Sequence, residues 1–447
     1  MKLIYKPQDK PKFGQLIVFA LQQLLAILAA TIAVPSIIGH GMSQSAALFG
    51  AGVGTIVYLL FTKFRSPVFL GSSFAFLGSM FAAFAGAVST SAGYAGLIIG
   101  AVFAGLVYVV IAAVVKFAGV KWISKLMPAV VIGPTVAIIG LSLAGNAIGD
   151  ALHGANLVDG VYEMTLSGWI NLICALVTLL TVIFFSVKGK KMMKLIPFIL
   201  GIVAGYIVAL IFTLIGKAVD NDALKILDFG AFSAMKWVPE FTFVEAFKGF
   251  NEIDGKYIAT IAVAYIPVAF VVFAEHIADH KNLSTIIDQD LLEEPGLHRT
   301  LLGDGIGSMA GAFFGGCPNT TYGESVGCVA ITGNASVITI LATAILAIAA
   351  SFCGPFVTFL STIPSCVMGG VCITLYGFIA VSGLKMLQPV DLNDNRNLFT
   401  ASVILIAGIG GMTLKIGAVT LTEIACALIL GVIVNILFNR APKNEKQ

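Results

Sequence analysis

Pro318-Asn319-Thr320-Thr321-Tyr322-Gly323-Glu324 interrupts an otherwise apolar stretch, and its reading decides the fold. Pro318 has no backbone N–H to donate and biases the residue before it away from helix. Asn319, Thr320 and Thr321 are weak helix formers, and Gly323 lets a ligand approach the backbone closely. The pattern predicts a short extended segment followed by a helix whose first turn bears Glu324. Apolar runs flank it on both sides, so the break falls at membrane depth. Non-helical backbone persists there only where it is buried in protein or lines a cavity. The free N–H groups of such a helix start are donors for an acceptor on a ligand. The plainer alternative is that Glu324 only complements the helix dipole.

A second polar stretch, Ala274-Glu275-His276-Ile277-Ala278-Asp279-His280, closes another apolar run. Carboxylates inside a membrane cost roughly 2.5–3.5 kcal/mol each on insertion scales, so they mark function. Glu275 and Asp279 are four residues apart and share one helix face. They repel each other, which suits one of them to carrying a proton. Asp279, His280 and Lys281 also have a simpler reading, as residues already in the cytoplasmic headgroup region. Asp304, in Leu302-Gly303-Asp304-Gly305, is either a supporting residue behind Glu275 or Asp279 or a helix-end residue. Gln22 and Gln23 in the first apolar run either bond across helices or face the site. Gly71-Ser72-Ser73-Phe74 is expected to offer unpaired backbone amides and a ring to stack on.

Of the 447 residues, 58% are hydrophobic and 11% charged. A soluble domain carries about 25% charged residues, so this is a polytopic membrane protein. Runs of roughly 17–25 apolar residues are the unit to count, and there are about fourteen. They fall near 15–34, 45–62, 67–88, 94–117, 127–146, 168–186, 195–216, 257–278, 300–315, 318–332, 336–360, 363–384, 398–412 and 418–438. The segments around 67–88 and 300–332 are too polar or too short for simple spans. With the start of the chain inside, the inner loops hold Lys63, Arg65, Lys116, Lys121, Lys125, Lys188, Lys190, Lys191, Lys194, Lys385 and Arg396. Arg440, Lys443 and Lys446 follow in the last residues, whereas the outer loop 147–167 carries Asp150, Asp159 and Glu163. That bias favours an even number of spans with both ends cytoplasmic.

The two halves echo each other. Pro128-Ala129-Val130-Val131-Ile132-Gly133 resembles Pro364-Ser365-Cys366-Val367-Met368-Gly369, and Phe198-Ile199-Leu200-Gly201 resembles Leu428-Ile429-Leu430-Gly431. Seven spans per repeat is an odd number, so the repeats are inverted. The stretches at Leu70–Phe74 and Pro318–Glu324 then correspond, and such a pair points to a transporter binding site.

Carboxylates, backbone donors and an aromatic face suit a small planar solute with alternating N–H and C=O groups. Neither polar stretch contains Lys or Arg, which argues against an anionic substrate. The chain has no G-x-x-x-x-G-K-[ST] motif, so ATP does not drive it directly. The seven cysteines are scattered and read as small core residues, with no metal cluster and no cofactor implied. No cleavable signal peptide is apparent.

Ala274-Glu275-His276, Glu294-Pro295-Gly296-Leu297-His298-Arg299, Gly71-Ser72-Ser73-Phe74-Ala75-Phe76 and Pro318–Glu324 resemble the nucleobase–ascorbate transporter family, in its bacterial uracil permease branch. The resemblance covers nearly the whole chain. It implies an all-α polytopic membrane protein with fourteen segments in two inverted repeats of seven. Short antiparallel strands would sit in segments three and ten. It further implies a core domain (15–126 and 257–362), a gate domain (127–216 and 363–438) and an outer loop (217–256), with cytoplasmic tails 1–14 and 439–447. The implied activity is proton symport of uracil, not enzymatic, in a homodimer in the cytoplasmic membrane, with no nucleic-acid partner. Membrane lipid would surround it. Carried over, Glu275 and Glu324 would bind the base by their side chains, and Phe74 and Gly323 by their backbone N–H groups. Ala30, Tyr322 and Tyr376 would line the pocket, with Asp304, Asn319 and Gln22 in support.

Two departures matter. The branch often has His four residues after the glutamate, where this chain has Asp279; it often has Gln-His in the first segment, where this chain has Gln22-Gln23. The first leaves open whether Glu275, Asp279 or Glu324 carries the proton. The same fold carrying xanthine, urate or another base is the nearest rival. Gly303-Asp304 matches half of an intramembrane aspartyl protease motif, but the Tyr-Asp partner is absent, since Asp279 follows Ala278. A passive channel fits a closed, broken-helix site poorly.

Overall fold

The computed structural model describes residues 3–119, 128–190, 192–416 and 419–439. Lys121, Lys125, Lys191, Arg440, Lys443 and Lys446 lie outside the described residues.

Long apolar runs become helices because each backbone group must be satisfied within its own segment in lipid. In the first half these are α1 (Phe13–Ile38), α2 (Gln44–Phe61), α3 (Leu77–Ala85), α4 (Thr90–Ala118), α5 (Ala129–Ser142), α6 (Leu166–Lys188) and α7 (Pro197–Ala218). The second half has α8 (Gly255–Ile287), α9 (Leu297–Gly315), α10 (Gly323–Thr332), α11 (Val337–Ser351), α12 (Ser365–Lys385), α13 (Asn395–Ile409) and α14 (Glu423–Asn439). Strand β1 (Leu70–Ser72) precedes α3, and β2 (Asn319–Thr321) precedes α10. Among the described residues, eight helices are long and apolar enough to cross a membrane, or nine if α11 and the helix Gly354–Ser361, bent by 81°, count as one span. The expected fourteen segments include short and broken ones, which length alone does not identify as crossings.

The helices form two packed groups. In one, α9 lies against α2 and α4, α11 against α1 and α2, and α8 against α4. Close backbone approach makes this possible: a Cβ on Gly50 of α2 would fall 2.5 Å from Gly311 O of α9. In the other group, α12 packs on α5 and α6, α6 on α7, and α13 on α5 and α14. α5 and α12 both begin directly after an extended proline, Pro128 and Pro364, which matches the sequence echo between them.

Two sequence expectations change. The run expected to end near 278 continues as α8 to Ile287, so Asp279 and His280 stand inside a helix rather than beyond its end. His280 is fully buried, whereas Lys281 is exposed. Six cysteines are buried as expected of core residues, but Cys353 is exposed at the bend before Gly354.

Candidate functional site

The two breaks meet. β1 and β2 pair antiparallel, with Leu70 opposite Thr321, Gly71 opposite Thr320 and Ser72 opposite Asn319. Ser73 N–H donates to Pro318 O at 2.9 Å, and Tyr322 N–H to Phe69 O at 3.3 Å. A two-stranded ribbon in hydrocarbon still has open edges, which must be satisfied. Side chains do this. Thr55 Oγ1 accepts from Leu70 N–H at 2.9 Å and Ser325 Oγ from Phe69 N–H at 3.1 Å, while Asn319 Nδ2 donates to Gly50 O at 3.1 Å. Gly71 is required by contact: a Cβ there would lie 2.3 Å from the Tyr322 ring.

The expectation of unpaired amides along Gly71-Ser72-Ser73-Phe74 changes at two positions: Gly71 stands opposite Thr320 in the ribbon, and Ser73 N–H donates to Pro318 O. Phe74 alone of that stretch reaches the cavity. α10 starts as expected, with Tyr322 extended at its N-cap and Glu324 in its first turn. Its first N–H groups have no intrahelical acceptor, and Gly323 and Glu324 face the same cavity.

That cavity measures about 340 Å³ and lies between the two helix groups. Glu275, Ala278 and Asp279 of α8 line it with Phe74, Gly323 and Glu324 on one side. Val136, Phe198, Leu375, Phe378, Ile379, Ser382 and Met386 form the opposite wall. Three carboxylates thus face one space, and only Asp279 shows a side-chain bond, accepting from Thr321 Oγ1 of β2 at 2.8 Å. The arrangement offers acceptors, helix-start donors and an aromatic ring to a small polar solute. Pockets of roughly 300–1,000 Å³ hold small molecules, so contacts rather than volume must set the choice of base.

Other residues singled out in the sequence stand behind this surface. Tyr322 is buried and its hydroxyl donates to Ser72 O at 2.8 Å. Tyr376 meets Phe74 edge-on, with ring centroids 5.9 Å apart. Ala30 is buried within α1. Asn319 holds β2 onto α2. Gln22 is half-buried outside the cavity lining, and its neighbour Gln23 makes the buried bond, donating to Ser325 Oγ at 2.5 Å. Asp304 is not a helix-end residue. It sits within α9 and bonds His276 Nδ1 at 2.7 Å.

The sequence reading gave His276 and His280 no buried role. They stack at 4.0 Å between ring centroids on the rear of α8. His276 Nε2 meets Thr300 Oγ1 at 3.0 Å, and His280 Nε2 meets the Tyr58 hydroxyl at 2.7 Å. Their spacing to Glu275 and Asp279, one residue on from each, was the available signal: it places them round the helix from the carboxylates. Among the described residues no His, Cys, Asp and Glu group is arranged to hold a metal ion.

A multi-pass membrane protein with a solute-sized cavity at paired broken segments has the architecture of a secondary transporter. A model of the Permease family matches residues 14–417. The uracil permease of Bacillus caldolyticus is 41% identical over 439 residues, covering 98% of this chain and 95% of that protein. The uracil permease of Bacillus subtilis (strain 168) is 37% identical, covering 98% and 96%. That of Escherichia coli (strain K12) is 34% identical, covering 96% and 92%. Among solved structures, the transmembrane domain of the cyanobacterium bicarbonate transporter BicA superimposes with TM-score 0.65 at 17% identity, covering 96% of this chain and 99% of that one. That likeness concerns the fold alone. The chain belongs to the nucleobase–ascorbate transporter family, whose members named above are permeases and not enzymes.

Proposed function

We propose that this protein imports uracil with protons across the cytoplasmic membrane by alternating access. The observation that carries the reading is the meeting of Glu275, Asp279 and Glu324 with Phe74 and Gly323 around one cavity. Relatives named uracil permease, at up to 41% identity over nearly the full chain, support uracil as the solute. Glu275 and Glu324 accept from the N–H edge of the base, and the N–H groups of Phe74 and Gly323 donate to its carbonyls. A membrane-depth carboxylate holds a proton on entry and releases it inside, and Glu275, Asp279 and Glu324 are the candidates.

The group holding β1, β2 and α8 is the core, and the group built on α5, α6, α7, α12, α13 and α14 is the gate. The gate wall runs from Leu375 to Met386, past Lys385 at the end of α12. Basic ends face the cytoplasm, so the cavity leads inward, with both chain ends on that side. Gate faces of two copies form a homodimer in the lipid bilayer.

Uptake of labelled uracil into cells lacking their own uracil permease tests this reading, with and without a protonophore, at matched expression. Uptake that collapses with the protonophore is expected. Absence of uptake by well-expressed protein would sink the substrate, and indifference to the protonophore would remove the coupling.

A further inference from the structure

The segment ahead of α1 is tied to both broken segments. Ile4 and Tyr5 N–H donate to Gly333 O at 2.7 and 3.2 Å, directly beyond the end of α10. Ala335 N–H donates back to Tyr5 O at 2.9 Å, and Val337 N–H to Pro7 O at 3.0 Å. Tyr5 and Asn334 thereby form a parallel bridge, and Ser336 Oγ donates to Asp9 O at 2.6 Å. On its other side, Gln8 Nε2 donates to Phe64 O at 3.0 Å, in the loop that leads into β1. Lys6 N–H closes a turn on Asp9 Oδ2 at 2.7 Å, and the Tyr5 hydroxyl donates to Gln15 Oε1 of α1 at 2.6 Å.

This placement has a mechanical consequence. α10 has ten residues, so it spans about 15 Å. Gly323 and Glu324 lie at its cavity end, and Gly333 caps its other end with φ +67°. A rod this short is positioned by what holds its two ends. Ser325 fixes the cavity end through Gln23 and Phe69 N–H, and residues 4–9 fix the far end. The same residues reach the approach to β1, so one strap references both halves of the site to each other.

We propose that residues 4–9 are a positioning strap that sets the placement of α10 and β1, and with it the affinity of the cavity for its solute. The affinity part rests on the reading of this cavity as the uracil site. The placement part stands on the contacts above.

The test compares the purified full chain with Gln8→Ala/Ser336→Ala and with Ser336→Thr. Ser336 makes no side-chain cap on α11, so its loss leaves that helix start unchanged. Two readouts are taken: amide hydrogen exchange without ligand, and equilibrium binding of labelled uracil. In the double variant, exchange at residues 326–333, where the N–H groups are bonded within α10, is expected to quicken about tenfold while α6 and α7 are unaffected, and Kd to rise about tenfold. Ser336→Thr keeps the hydroxyl and is expected to behave as wild type in both. Unchanged exchange at 326–333 overturns the strap, whatever the Kd. Quickened exchange with an unchanged Kd overturns its role in affinity. Wild-type protein that binds no uracil, yet shows the quickened exchange in the variant, overturns the substrate reading and leaves the strap supported.

Discussion

The front and rear of α8 share the same few turns and differ in almost everything else. On the front, Glu275 and Asp279 are half-buried and face a cavity, with Thr321 the one side-chain partner shown. On the rear, His276 and His280 have no exposed surface, and both ring nitrogens of each are within hydrogen-bond distance of a partner. A buried polar group with all its partners is part of the scaffold. A polar group at membrane depth that lines a cavity is a candidate for function by default. The contrast teaches that chemistry-bearing residue types adjacent in sequence divide by the face they occupy into those that line the cavity and those packed and bonded behind it. It also makes the two faces separable by experiment: rear changes act on stability, front changes on binding.

The largest effect is expected from attacking the rear. His276→Ala leaves Asp304 of α9 without its imidazole partner, and a stranded buried carboxyl costs about 3 kcal/mol. A clear fall in Tm in detergent is expected, with the surviving folded protein binding uracil within about threefold of wild type; a larger loss of affinity would blur the two faces. Glu275→Gln acts on the front. It exchanges a charged acceptor for a neutral amide, so a loss of about 2 kcal/mol is expected, roughly 30-fold in Kd, with Tm unchanged.

Gly71→Ala probes the ribbon between the faces. Its methyl would meet the Tyr322 ring, and such overpacking costs about 1–3 kcal/mol. A lowered Tm accompanied by weaker binding is expected, because β1 and β2 carry both Phe74 and the start of α10. Thr321→Val is the smallest change. It removes the Asp279 bond but keeps the shape, and a shift of about 1 kcal/mol, close to fivefold in Kd, is expected.

Much of this was legible in the sequence, and the physical reason is clear. Pro318, the Asn-Thr-Thr run and Gly323 dictate local backbone, so the extended segment and the helix start at Gly323 followed from residue chemistry alone. The correspondence of Leu70–Phe74 with Pro318–Glu324 pointed to one shared site, whereas the antiparallel strands found there were implied by the family resemblance. What stayed hidden was long-range. His280 read as a headgroup residue because polarity rises after Ala278, yet Tyr58 and Ser66, more than two hundred positions away, bury and satisfy it. Asp304 gave no sign of pairing with His276 for the same reason. The amides of Gly71 and Ser73 looked free because partners more than two hundred residues away, Thr320 and Pro318, cannot be read from local pattern.

The account stands most directly on one comparison of binding. Labelled uracil is titrated onto purified wild type, Glu275→Gln and Tyr58→Phe, with Tm recorded for each. Tyr58→Phe removes only the hydroxyl that reaches His280 and Ser66 on the rear. The predicted result is weak binding with normal Tm for Glu275→Gln, and normal binding with lowered Tm for Tyr58→Phe. Normal uracil affinity in a well-folded Glu275→Gln protein would contradict the account.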